Sequence, residues 1–161
     1  MPRKPLSRAR KPTAPRKPSP RARKPAKPRK QSPKSRKPAT SRNPLTRVRK
    51  LALSLPEAHE VEAWGEPTFR VKNKLFAMYA RANNHHGGGR NAVWCKAKPV
   101  NQSLMIGASP NRFFSPPYVG PSGWVGVWLD GDVDWEELLD LLADGYRLTA
   151  PRKLLDQLKD L

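Results

Sequence analysis

Large hydrophobic residues are almost absent from the first 44 positions, then appear in blocks whose spacing changes along the chain. Leu45, Val48, Leu51, Ala52 and Leu55 recur every three or four positions between Asn43-Pro44 and Pro56. That spacing puts one apolar stripe on a helix, which Pro44 can open and Pro56 stops. The period then falls to two, the signature of strands. Residues 59–64 predict a short strand ending at Trp64-Gly65. Residues 68–72 alternate, with Phe69 and Val71 on one side, and Asn73-Lys74 reads as a turn. Residues 75–81 alternate again, with Phe76 and Met78 opposite Leu75, Ala77 and Tyr79. The polar run NNHHGGGRN, 83–91, forms a hairpin loop, and 92–97 return with Val93 and Cys95 on one side and Trp94 and Lys96 on the other.

Residues 99–107 fit no single period and allow one or two helical turns. Residues 108–123 read as an ordered loop containing Phe113, Phe114, Pro116, Pro117 and Tyr118. Residues 124–129 then form the strand around which the chain is organised. Val125, Val127 and Leu129 make an aliphatic face, and Trp124, Gly126 and Trp128 an aromatic face with a gap. Asp134 with Glu137 has capping-box spacing. Trp135, Leu138, Leu139 and Leu142 form the expected buried stripe of the next helix, with Trp135 as its anchor and Gly145 as its C′ residue. Pro151 opens a last helix carrying Leu154, Leu155 and Leu158. The order of elements predicts an α+β fold, a two-layer sandwich in which helices cover an antiparallel sheet.

Charge divides the chain in two. Residues 1–44 hold 17 of the 32 Lys and Arg, 11 of the 19 Pro and no acidic or aromatic residue. Of the formal charge of +19, +17 therefore lies on this arm and +2 on residues 45–161. Arg-Lys-Pro recurs at 3–5, 10–12, 16–18, 23–25 and 36–38, which predicts a disordered tail, because proline and like-charge repulsion oppose both pairing and collapse. Its composition resembles linker-histone tails, and Arg3, Lys4, Arg10, Lys11, Arg16, Lys17, Arg23, Lys24, Arg36 and Lys37 are its candidate phosphate contacts. No apolar run approaches the length of a membrane span. The basic N-terminus lacks the apolar core of a signal peptide, and its prolines oppose an amphipathic transit helix. A single cysteine excludes an internal disulfide and fits a reducing compartment.

The folded part offers weak catalytic signals. His85 and His86 are adjacent in a glycine-rich loop, a poor setting for acid–base work, and a zinc site with Cys95 conflicts with Cys95 lying on the aliphatic side. Three glycines suggest an anion nest, but no Lys-Ser or Lys-Thr follows as in a P-loop. Seven of the 13 acidic residues fall within 130–144, a face that repels DNA or docks the arm. Arg70, Lys72, Lys74, Arg81, Arg90 and Lys96 are the candidate nucleic-acid contacts of the domain. Arg81 and Arg90 flank the hairpin loop, where Arg90 has no core role in view, so the loop resembles a groove-entering wing. Mixed aromatic and basic residues on a sheet face resemble a stacking platform for single strands. The other reading of Trp94, Trp124 and Trp128 is that the 108–123 loop covers them.

Several motifs resemble the MmcQ/YjbR family: Trp64-Gly65-x-Pro67-Thr68-Phe69, Lys74-x-Phe76-Ala77, Pro117-Tyr118-Val119-Gly120 with Gly123-Trp124-Val125, and Trp135-x-x-Leu138 leading to Tyr146-Arg147-Leu148-x-Ala150-Pro151. The resemblance spans about residues 45–155. It implies a small domain of the YjbR type and a DNA-binding role described as a double-wing arrangement. The basic arm and the His-His-Gly-Gly-Gly loop depart from the simplest family pattern. The combined expectation is a non-enzymatic, cytoplasmic, nucleoid-associated protein that binds nucleic acid, duplex DNA first, without cofactor, metal or membrane. The alternative is a protein- or small-ligand-binding module, with a pocket between the aromatic sheet face and the 108–123 loop, that the arm localises to nucleic acid.

Overall fold

The computed structural model describes residues 43–158, so the basic arm up to Arg42 lies outside the described residues. Helix α1, Pro44–Ala52, begins where Asn43 Oδ1 accepts a hydrogen bond from the Leu45 amide at 3.0 Å. It ends three residues before the expected Leu55, which is nevertheless buried by the turn that follows. Strands β1 (His59–Ala63), β2 (Glu66–Val71), β3 (Lys74–Ala80) and β4 (Ala92–Cys95) form a meander. Helix α2 (Pro99–Ala108), the two-residue strand β5 (Phe113–Phe114), strand β6 (Val125–Trp128) and helices α3 (Trp135–Arg147) and α4 (Arg152–Gln157) complete the order.

All six strands belong to one antiparallel sheet in the order β1-β2-β3-β4-β6-β5. Helices α1, α3 and α4 pack on one face. Leu45, Val48, Leu138, Leu142, Tyr146 and Leu154 meet Phe69, Val71, Val93, Cys95, Val125 and Val127 there. The fold is thus the expected α+β sandwich. Strand β6, around which the chain is organised, would be an edge strand but for β5, which forms from part of the anticipated 108–123 loop and pairs outside it. Phe113 and Phe114 pair with Val127 and Gly126 and protect that edge.

Five local expectations change, each for a physical reason. The β2–β3 turn is Lys72-Asn73, both at positive φ, as a two-residue hairpin requires, so Lys74 is already strand. Within β3, Phe69 faces Ala77 but Arg70 faces Leu75, which leaves Phe76 as an extra, bulged residue. Phe76 and Ala77 consequently share the helix-side core, and Met78 turns to the other face instead of joining Phe76. Gly145 is no C′ residue but lies inside α3, where an added Cβ would stand 2.9 Å from Lys96 O and 3.0 Å from Phe76 O. Helix and sheet backbones touch at that point. Trp135 is only half-buried, with the Arg47 guanidinium 4.4 Å over its ring. The anchor is Tyr146, fully buried, whose hydroxyl donates to Pro56 O at 2.6 Å. The α3 cap is half a box: Asp134 accepts from the Glu136 and Glu137 amides, while the Glu137 carboxylate pairs with Arg112 instead of reaching back.

Candidate functional site

The sheet face opposite the helices carries a second, aromatic cluster built on Met78, Ala80, Ala92, Trp94 and Trp124. The gap at Gly126 is closed by Phe114, whose ring occupies the space a Cβ would need and stacks on Trp128 at 4.0 Å. Phe114 and the 115–124 segment therefore cover much of this face, and Trp94 and Trp124 are buried. No open stacking platform runs along it. What remains open is a pocket of about 350 Å³ floored by Leu75, Met78, Trp94 and Trp124. His85, His86, Val119 and the exposed rings of Trp64 and Tyr118 complete its wall.

Three connections hold this wall in place. Trp64-Gly65 is the two-residue turn between β1 and β2, with both residues at positive φ. Arg81 Nη1 donates to Gly65 O at 2.7 Å, and Asn84 Nδ2 to Trp64 O at 3.4 Å, so the β3–β4 loop fixes the turn that presents Trp64. On the far side, Gln102 of α2 donates through Nε2 to Gly120 O at 2.8 Å and to Trp124 O at 2.5 Å, pinning the segment that presents Tyr118. Behind the turn lies Glu66, fully buried, which accepts from the Arg81 amide at 2.9 Å and from its guanidinium at 3.3 Å. A buried carboxylate requires such pairing.

The polar groups of the pocket are few. His86 meets Trp94 edge-on at 5.7 Å and Tyr118 at 6.3 Å. Burial, and then the neighbouring His85, hold the His86 imidazole below its ordinary pKa and favour the neutral ring. Trp94 Nε1 and His86 Nδ1 are buried and have no hydrogen-bond partner among the described residues. Cys95 packs in the core on the other side of the sheet, where burial pushes its thiol up to about 12. The fold therefore does not bring Cys95 to His85 and His86, and no cluster of three or more metal-ligating side chains occurs among the described residues.

The basic residues expected to contact nucleic acid are scattered and mostly engaged. Arg70 donates to Thr68 Oγ1 at 3.2 Å, Lys72 pairs with Glu57, and Lys74 is exposed. Arg90 has the structural role that the sequence did not reveal. Its Nε donates to Asp130 Oδ2 at 2.7 Å, and its guanidinium lies 4.3 Å over Trp128. This hydrogen bond holds the Asp130 carboxyl below the usual carboxylate range. Lys96 lies beyond the end of β4 and lines a surface groove with Lys98, Asp144 and Arg147, not the pocket over Trp94. The arm residues from Arg3 to Lys37 lie outside the described residues. The acidic stretch is partly neutralised in place by Arg90–Asp130, Arg112–Glu137 and Arg147–Asp144.

The sequence pointed to His85, His86, Trp94 and Trp124 and to a pocket between the aromatic sheet face and the 108–123 loop, where the structure has one, but not to the parts of Trp64, Tyr118, Glu66 and Gln102 in forming it. The signals available were Trp64-Gly65 at a hairpin position and the proline-flanked Tyr118. Their convergence depends on tertiary contacts that local patterns do not encode.

The sequence model of the YjbR family matches residues 53–148. Among solved structures, a Deinococcus radiodurans protein described as a DUF419 domain superposes with a TM-score of 0.55 at 23% identity, over 65% of this chain and 76% of that one. A Pseudomonas syringae protein superposes with a TM-score of 0.54 at 15% identity, over 67% of this chain and 99% of that one. At these identities the likeness is one of fold. No curated protein matches the sequence.

Proposed function

The chain belongs to the YjbR family, and from that premise we propose that it is a non-enzymatic DNA-binding protein whose arm supplies most of the affinity and whose domain orients the complex or adds shape readout. The observation that carries this reading is the segregation of charge: 17 basic residues and no acidic one up to residue 44, against 15 basic and 13 acidic beyond it. Such an arm neutralises phosphates and releases their counterions without regard to base sequence. The geometry of the domain favours the same division. Arg81 and Arg90 are tied to Glu66 and Asp130, so each would have to share or leave a partner to hold a phosphate. Duplex DNA is the proposed partner, and a cytoplasmic, nucleoid-associated location goes with it. No helix among the described residues is long and apolar enough to cross a membrane. Mobility shift of the full chain and of residues 43–161 on duplex and single-stranded DNA tests the proposal. The full chain should bind both, and the shortened chain weakly or not at all. Equal binding by the two chains would overturn it.

The aromatic pocket favours a second reading, in which the domain is a ligand-binding module that the arm localises to nucleic acid. Tryptophan quenching by ligand in the shortened chain, with DNA silent, would favour it over the first.

A further inference from the structure

The pocket on the aromatic face has an unusual combination of walls and polar groups. Its mouth is formed by two large aromatic side chains left in solvent, Trp64 at 65% and Tyr118 at 78% exposure. Both residues sit in the left-handed backbone region, with φ of 56° and 67°. Bulky side chains rarely adopt that conformation, and such strain persists where surrounding structure enforces it, often at ligand clamps. At Trp64 the two-residue hairpin itself requires it, with Arg81 and Asn84 holding the turn in place, and Gln102 pins the segment that carries Tyr118.

The lining is mostly apolar and aromatic, and two nitrogens of its side chains are buried without a partner. Trp94 is 2% exposed, and its indole N–H, which can only donate, has no acceptor among the described residues. His86 Nδ1 is likewise without a partner. An occupant that completes this pocket brings a flat π-face for the rings and a carbonyl or ring-nitrogen acceptor for the indole. An alkyl chain lacks the acceptor. An ammonium group lacks it too, and no carboxylate lines the pocket to hold one. A phosphate is no better served, because neither Lys nor Arg lines it.

We propose that this pocket takes one unstacked base of a single-stranded nucleic acid, with Trp64 and Tyr118 closing on the base and the indole of Trp94 donating to its edge. The proposal rests on the reading of the arm as a phosphate-binding segment, since it is the arm's charge of +17 that brings a polyanion to a pocket with no cation of its own. Stacking of this kind tolerates any base, because every base presents a π-face. The domain then has a task that the arm cannot perform: it distinguishes unpaired bases from bare phosphate.

The test uses the full chain and two probes of about twelve nucleotides, oligothymidylate and an abasic strand with the same number of phosphates. Oligothymidylate should bind about ten-fold more tightly than the abasic strand, the scale that stacking one base brings, and it alone should quench tryptophan emission. Trp64→Ala and Tyr118→Ala, both at exposed positions, should abolish the difference between the probes while leaving affinity for the abasic strand unchanged. Tyr118→Phe should retain it. If both probes bind equally and neither quenches, the pocket takes no base and the arm reading survives alone. If neither probe binds even at low salt, the arm reading fails and this inference falls with it. If free thymidine saturates the quench as tightly as the oligonucleotide, the occupant is a free nucleoside, and a strand is ruled out.

Discussion

Tyr146 shows how much one residue can organise. It is fully buried in α3, meets Phe76 edge-on at 5.6 Å, and its hydroxyl donates to the carbonyl of Pro56, 90 residues away in sequence. Trp135, the larger aromatic of the same helix, lies half-buried under Arg47. Truncation should follow burial and not ring size: Leu138→Ala should cost about 2–5 kcal/mol in urea unfolding, and Trp135→Ala clearly less. A larger loss at Trp135 would show that the first turn of α3 is an anchor after all. Cys95 gives a second check at this scale. It is fully buried and its thiol is pushed up to about 12, so it should resist alkylation under native conditions and react only on unfolding. Rapid native labelling would place it outside the core. Period alone marked both Cys95 and Leu138 as inward-facing. It could not rank Trp135 against Tyr146, because the rank depends on which turn of the helix meets the bulge at Phe76.

That bulge governs the element scale. It rotates Phe76 onto the helix side of the sheet, and α3 then approaches so closely that Gly145 touches the backbone of Phe76 and Lys96. Gly145→Ala should therefore destabilise by about 1–3 kcal/mol, despite alanine's better helix propensity. A neutral or stabilising result would mean that the helix stands further off. Strand identity was legible from alternation, and hairpin positions from Trp64-Gly65 and from Asn73. The extra residue in β3 was not, since a bulge leaves the composition of a strand unchanged. The two-residue β5 was too short to show a period. The β3–β4 loop yields a prediction in pH. His86 has a lowered folded pKa, so as pH falls the unfolded chain gains its proton first. The stability tied to neutral His86 is complete above the ordinary imidazole value of 6.5, and is lost as pH falls from there towards the folded value. The wild-type melting temperature should drop between about pH 7.5 and about pH 5.5 by more than that of a His86→Phe variant. Parallel curves would remove His86 from the account.

At the scale of the whole molecule, the two parts of the chain were separable from composition alone, because charge, proline and aromatic content all change near residue 44. The family was legible as well, because its motifs fall on the hairpin turns and on the helix that pack the core. The site was less so. Arg81 and Arg90 looked free in sequence because Glu66 is 15 residues from Arg81 and Asp130 is 40 from Arg90, separations that only the folded sheet closes. Their pairing shifts the burden of phosphate binding to the arm, which is the central claim. The most direct measurement of it is the salt dependence of duplex DNA binding by the full chain and by residues 43–161. If half of the 17 arm cations engage phosphates, log affinity against log salt should have a slope of about −8 for the full chain. Removal of the arm should abolish most of that slope. A shortened chain with the same affinity and slope would contradict the account and return the binding to the folded domain.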